Sequence, residues 1–225
     1  MSRYVISLGG SLVAPESGPD WQFLQSFKNI ITHPKHVDDV FYIIVGGGNP
    51  ARQYQNALKE LGCDDKTLDH MGIFTTHLNA YYVSLAFNFP PEHKVVLKVE
   101  RLLGDASLHI TGAGLQPGQS SDTVAIQTAI QIQADKVVNL SNISQVYSAD
   151  PNKDSSASPI DSLTWDEYLN IIPNVWEPGL STPFDPVASK LAKNNNITVT
   201  ILGNRLENFE AYLRGDDFIG SVIST

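Results

Sequence analysis

Apolar residues along this 225-residue chain fall into short runs of four to six, separated by longer stretches where they recur every three or four positions. The short runs predict strands at 4–8, 40–45, 94–98, 107–111, 136–140, 197–202 and 219–223. The longer period predicts helices at about 20–32, 50–61, 67–87, 122–133, 165–172, 186–194 and 206–214. Strand and helix alternate almost throughout, which is the signature of βα units around a largely parallel sheet. Helix starts carry matching local chemistry. Thr164 and Glu167 have capping-box spacing, Asp122 stands where an N-cap is expected, and Pro50 and Pro186 fall in first turns that tolerate a missing N–H. The polar, turn-rich stretch 148–162 reads as a surface loop. No repeat or linker interrupts the pattern, so we expect one α/β domain with two lobes meeting near residue 118.

Composition narrows the functional classes. The chain is 42% hydrophobic and 17% charged, ordinary values for a globular protein, and its net charge of −9 disfavours a polynucleotide partner. An anionic small ligand would need backbone N–H groups and a few placed cations. The lone Cys63 excludes an intramolecular disulfide, and the six histidines show no metal-ligand spacing, so no protein-ligated metal centre is expected. With neither a basic leader nor a run near the ~20 apolar residues needed to cross a bilayer, the expected location is cytoplasmic and no membrane partner is expected.

Chemistry concentrates where strands end. Leu8-Gly9-Gly10-Ser11-Leu12 closes the first strand, and Val45-Gly46-Gly47-Gly48-Asn49-Pro50-Ala51-Arg52 closes the second and opens a helix. Glycines there let backbone N–H groups turn toward an anion, the helix dipole favours negative charge, and Arg52 can add a fork of donors. Each loop alone could be an ordinary turn with a surface arginine. A third loop, Gly112 to Asp122, adds hydroxyls and a carboxylate before another helix. The run Ser141-Asn142-Ile143-Ser144-Gln145-Val146-Tyr147-Ser148-Ala149-Asp150-Pro151 offers polar groups and an aromatic that could flank a base, or a hairpin with a structural tyrosine. Pro183-Phe184-Asp185-Pro186-Val187-Ala188-Ser189-Lys190 places a carboxylate at a helix start and a lysine further along. Trp165, Tyr168 and Trp176 are expected to be packing groups.

Taken in order, these five runs resemble the amino-acid-kinase family, and within it the archaeal-type uridylate kinases; the resemblance spans nearly the whole chain. It implies a three-layer αβα sandwich with a mainly parallel sheet of about eight strands. It also implies transfer of the γ-phosphate of ATP, with Mg²⁺, to UMP, and a homo-oligomer (dimer or hexamer) acting on small nucleotide substrates. By resemblance the catalytic groups are Gly10, Ser11, Arg52, Asp185 and Lys190. UMP would be held by Gly47, Gly48, Arg52, Asp69 and the loop Leu115, Gln116, Pro117, Gly118, Gln119, Ser120 and Ser121. ATP would be held by Gly9, Gly10, Ser11, Ser141, Asn142, Tyr147 and Asp150. The acceptor lobe would run to about 118 and the ATP lobe from about 119 to 225.

The chain also departs from the family pattern. The acceptor loop lacks the usual Thr-His-Pro-Gly-His-Thr-Thr-Asp, Ser144-Gln145 replaces Asp-Gly, and His77 stands for an arginine. Ser7 occupies the position of the first-strand lysine that bacterial members keep. A different small phosphate or carboxylate acceptor, or a non-catalytic nucleotide- or oxyanion-binding storage assembly of the same fold, is the alternative reading.

Overall fold

The computed structural model describes residues 2–92, 107–114, 117–151, 153–173, 175 and 182–225. The strands are β1 (Arg3–Leu8), β2 (Val40–Val45), β3 (Leu108–Gly112), β4 (Lys136–Leu140), β5 (Val146–Tyr147), β6 (Pro159–Ile160), β7 (Ser162–Thr164), β8 (Thr198–Leu202) and β9 (Ser221–Ser224). The helices are α1 (Gly10–Val13), α2 (Trp21–Ile31), α3 (Gly48–Glu60), α4 (Asp65–Ala86), α5 (Ser121–Ile132), α6 (Trp165–Ile171), α7 (Pro186–Asn194) and α8 (Leu206–Arg214). The expected strand at 94–98 lies outside the described residues.

Seven strands form one sheet in the order β3-β2-β1-β4-β8-β9-β7. The first five are parallel; β9 runs antiparallel to β8 and pairs in parallel with β7. Alternation along each strand divides the core into two layers. Val5, Ile44, Val137, Val199 and Ile201 meet buried residues of α5, α6 and α7 on one face. Ile6, Leu8, Ile43, Val138 and Leu140 meet those of α2, α4 and α8 on the other. The αβα sandwich with a mainly parallel sheet is therefore as expected. Because β2 is buried on both faces, it reads as an unbroken apolar run.

A two-residue pairing of β5, just before the polar stretch 148–162, with β6 inside it folds back the loop, a detail that turn composition alone does not specify. The N-cap of α5 corrects another expectation. Ser120, not Asp122, is the cap and accepts from the Thr123 amide at 3.1 Å. Two hydroxyls and a carboxylate in a row all suit a cap, and backbone geometry chose the first. That choice leaves the Asp122 carboxylate available for tertiary contacts.

From β1 the chain builds outward to β2 and β3 on one side, and β4 and β8 occupy the other side. The carboxyl ends of β1 and β4 thus flank a topological switch point, where parallel sheets leave a crevice.

Candidate functional site

A cleft of about 410 Å³ opens at that switch point. It is lined by Ser7, Gly9, Ser11, Arg52, Ser121, Asp122, Asn139, Ser141, Asn142, Ile143, Thr182 and Pro183. Six of these (Gly9, Ser11, Arg52, Ser121, Ser141 and Asn142) are among the residues the sequence singled out.

One wall is made of backbone. After β1 and β2 the two glycine turns press together: a Cβ on Gly10 would lie 2.2 Å from the Gly48 nitrogen, and one on Gly48 would lie 2.4 Å from the Gly10 oxygen. Gly48 also has φ +65°, a left-handed conformation that L side chains disfavour. Asn79, from α4, donates from Nδ2 to the carbonyls of Gly46 and Gly47, both at 2.9 Å, and so fixes the second turn. Arg52 extends from the first turns of α3 to the cleft mouth, where Nη2 donates to Ser11 Oγ at 3.0 Å. Its guanidinium is exposed and retains donors for an anion.

The opposite wall is acidic. In the β1–β4 register Ser7 sits beside Asn139, and both face the layer that contains α5 and α7. Ser7 Oγ and Asn139 Nδ2 each donate to Asp122 Oδ1 at 2.9 Å, and the Asp185 amide donates to Oδ2 at 3.2 Å. Burial, reinforced by the Asp185 carboxylate, pushes the Asp122 carboxyl up to about 7. Asp185 lies behind, 5% exposed. Its Oδ1 caps α7 by accepting from the Val187 and Ala188 amides, and its Oδ2 accepts from the hydroxyls of Ser120 and Thr123. Tyr168 sets the approach to Asp185, since its hydroxyl bonds both the oxygen and the nitrogen of Phe184. Tyr168 and Trp165 are fully buried packing groups, as expected, and burial raises the Tyr168 hydroxyl well above the usual phenol range.

Other expected residues lie away from the cleft lining. Gly10, Gly47 and Gly48 shape the turns behind it. Asp69 accepts from the Gly118 amide at 2.7 Å and so ties α4 to the loop that precedes α5. Ser120 is occupied as a cap and by Asp185. Pro117 is exposed, and Gln119 has a buried Oε1 without a hydrogen-bond partner. Leu115 and Gln116 lie outside the described residues. Tyr147 sits in the β5–β6 pair, Asp150 forms an exposed ion pair with Lys153 at 3.3 Å, and Lys190 is exposed on α7.

Sequence reasoning did not assign a site role to Ser7, Asp122 or Asn139. Asp122 had a visible signal, a carboxylate ending the third glycine loop, but it read as a helix cap. Asn139 had none, being one polar residue inside an apolar strand.

A family model described as the amino acid kinase family matches residues 2–203. A uridylate kinase from Halorubrum lacusprofundi is 33% identical over 232 residues, covering 99% of this chain and 94% of that protein. The uridylate kinase of Methanosarcina acetivorans is 32% identical over 207 residues, covering 89% and 86%. Among solved structures, the uridylate kinase of Archaeoglobus fulgidus superposes with a TM-score of 0.83 at 29% identity, covering 100% of both chains.

Proposed function

The chain belongs to the amino acid kinase family, and from that premise we propose that it is an ATP-dependent phosphotransferase that converts UMP to UDP. The observation that carries this reading is the cleft at the β1/β4 switch point, with glycine turns and Arg52 on one wall and a polar, hydroxyl-rich wall opposite. Phosphoryl transfer asks mainly for positioning and charge neutralisation. Arg52 meets that need as a planar fork anchored on Ser11, facing phosphate oxygens near the first turn of α1. The first amides of a helix have no acceptor within it, so backbone at Ser11, in the first turn of α1 and in the cleft lining, serves the same place, while the Gly9 amide is held by the Leu140 carbonyl at 2.7 Å and fixes the turn. Ser141 and Asn142, at the end of β4, serve the ATP side. The turn at Gly118, held by Asp69, serves the UMP side. In this reading residues up to about 118 hold the acceptor and those beyond hold ATP.

Magnesium is the expected companion of ATP. The residues present suit a hard cation, because the Asp122 carboxylate lines the cleft and Asn139 Oδ1, in the same wall, is buried with no hydrogen-bond partner. When bound, such an ion would neutralise phosphate charge.

The test is ADP release by the purified chain with ATP and Mg²⁺, offered UMP, CMP, AMP and GMP in turn. Turnover with UMP well above the other three is the expected result. Robust turnover on another acceptor with none on UMP would replace UMP in this reading.

A further inference from the structure

We propose that Gln145 is a positioning residue for the ATP side of the cleft, a strut that ties the segment 141–147 to the far edge of the sheet. The inference rests on the kinase reading above and adds to it a side chain that lies outside the cleft lining.

Ser141, Asn142 and Ile143 line the cleft directly after β4, and the chain then leaves it for β5. β5 and β6 pair over two residues only, too little to hold that segment by themselves. Support comes from the main sheet. The Ser141 amide donates to the Leu202 carbonyl at 3.2 Å, and Ser144 packs on the backbone of Gly203, where a Cβ would lie 3.1 Å from Ser144 Cα. The Val146 amide donates to Ser221 Oγ at 2.8 Å, and that hydroxyl in turn donates to the Ile160 carbonyl. The end of β8 and the start of β9 thus carry the turn that follows the cleft.

Gln145 adds a bridge that only its own side chain can make. The residue is 9% exposed, and its Nε2 donates to Asp161 Oδ1 at 3.0 Å and to the Gly220 carbonyl at 3.2 Å. An amide nitrogen carries two hydrogens, so one group satisfies both acceptors. Turning the amide over would set Oε1 against a carboxylate and a carbonyl, so the partners fix its orientation. Both supports are themselves anchored. The Asp161 carbonyl accepts from the Val222 amide at 2.8 Å, and a Cβ on Gly220 would lie 2.5 Å from the Ile201 oxygen. Gln145 stands where the family pattern has glycine, yet its φ is not positive, so the backbone there does not call for glycine. Without the bridge, the turn between Asn142 and Tyr147 is tied to the sheet by the Val146 amide and by packing.

The experiment compares the full chain with Gln145→Met, which fills the same space without the donor, in steady-state kinetics and in calorimetric binding of a non-hydrolysable ATP analogue without UMP. The KM for ATP and the dissociation constant of the analogue should rise by roughly tenfold, with the KM for UMP changed by less than about twofold. Hydrogen exchange at the Val146 amide should quicken. Gln145→Glu should be worse than Gln145→Met, because it sets a carboxylate against Asp161. Adding Asp161→Asn to that chain should recover most of the difference. If Gln145→Met does not fold, Asp161→Ala, at an exposed position, removes one acceptor and should shift the ATP constants the same way by a smaller factor. Unchanged ATP constants, or equal rises for ATP and UMP that follow the melting temperature, would overturn the inference. The two readings fail separately. A chain that binds the analogue more tightly than Gln145→Met does, yet ignores UMP, refutes only the UMP reading. One that phosphorylates UMP with the same ATP constants in both forms refutes only the role of Gln145. A wild-type chain that binds no analogue overturns both.

Discussion

The two walls of the cleft handle charge in opposite ways. The glycine wall does so with backbone and one exposed side chain: Gly10 and Gly48 pack main chain on main chain, and Arg52 stands at the mouth with a single contact to Ser11. The acidic wall does so with side chains from four elements, β1, β4, α5 and the start of α7, where Ser7, Asn139, Asp122 and Asp185 each depend on the next. Hence the walls should respond differently to substitution. In the first, shape resides in the glycines and charge in Arg52, so stability and turnover should separate. In the second the same groups carry both, so the two should move together.

The largest effect expected is from Gly10→Ala. Its Cβ would overlap the Gly48 nitrogen and the Gly46 carbonyl, both backbone atoms that cannot swing aside. A loss of about 3 kcal/mol or more is expected from such strain, read by urea denaturation. Near-normal stability would mean that the turns are looser than their spacing indicates.

Arg52→Ala comes next, with turnover expected to fall by roughly a hundredfold to a thousandfold, the range for loss of one preorganised donor. The melting temperature should stay within a degree or two, since an exposed side chain with one hydrogen bond contributes little to stability. Arg52→Lys should recover only a fraction, because an ammonium lacks the planar fork. A stability loss with unchanged kinetics would erase the contrast between the walls.

Within the acidic wall, Asp122→Asn and Asp185→Asn sharpen the comparison further. Asparagine can still cap α7, so Asp185→Asn should cost well under the ~1 kcal/mol of losing the cap altogether and lower turnover by less than Asp122→Asn, whose carboxylate lines the cleft. Steady-state kinetics and thermal melts on both variants check this. Equal losses would show that the pair works as one unit rather than as a front and a back member.

The smallest effect concerns pH. His77, on α4 behind the glycine wall, has a buried Nε2 without a hydrogen-bond partner, and burial lowers its pKa from the ordinary 6.5. A histidine held below its unfolded value resists protonation in the native state, so its contribution to stability is lost as pH falls through and below about 6.5. Melting curves between pH 5 and 7.5 should show a shallower acid-side decline in His77→Gln than in the wild-type chain. Parallel curves would mean that His77 is more hydrated than its contacts show.

The glycine wall was largely legible in the sequence. Gly-Gly and Gly-Gly-Gly at strand ends, with Arg52 a few residues later, are local signals, and the constraint behind them is local too: a turn that a Cβ would block. The α-helix and β-strand periods likewise fixed the layers, because alternation along β1 and β4 assigns each side chain to a face whatever it packs on. The short apolar runs needed only helices to cover both faces of one sheet, and the three-layer αβα sandwich follows from that.

The acidic wall was not legible, and the reason is pairing between distant segments. Ser7 and Asn139 are neighbours only because β1 and β4 are adjacent in register, 132 positions apart in the chain. Asp122 looked like a cap because a carboxylate before an apolar helix usually is one; the backbone instead began α5 one residue after Ser120 and turned Asp122 inward. Asp185 could be read as a cap from Pro186 alone, but its four donors come from two helix starts. Local sequence determined which turns and helices form, since those are settled within a few residues. Only the tertiary structure decided which carboxylate lines the cleft, because burial and charge belong to the assembled neighbours and not to any one segment.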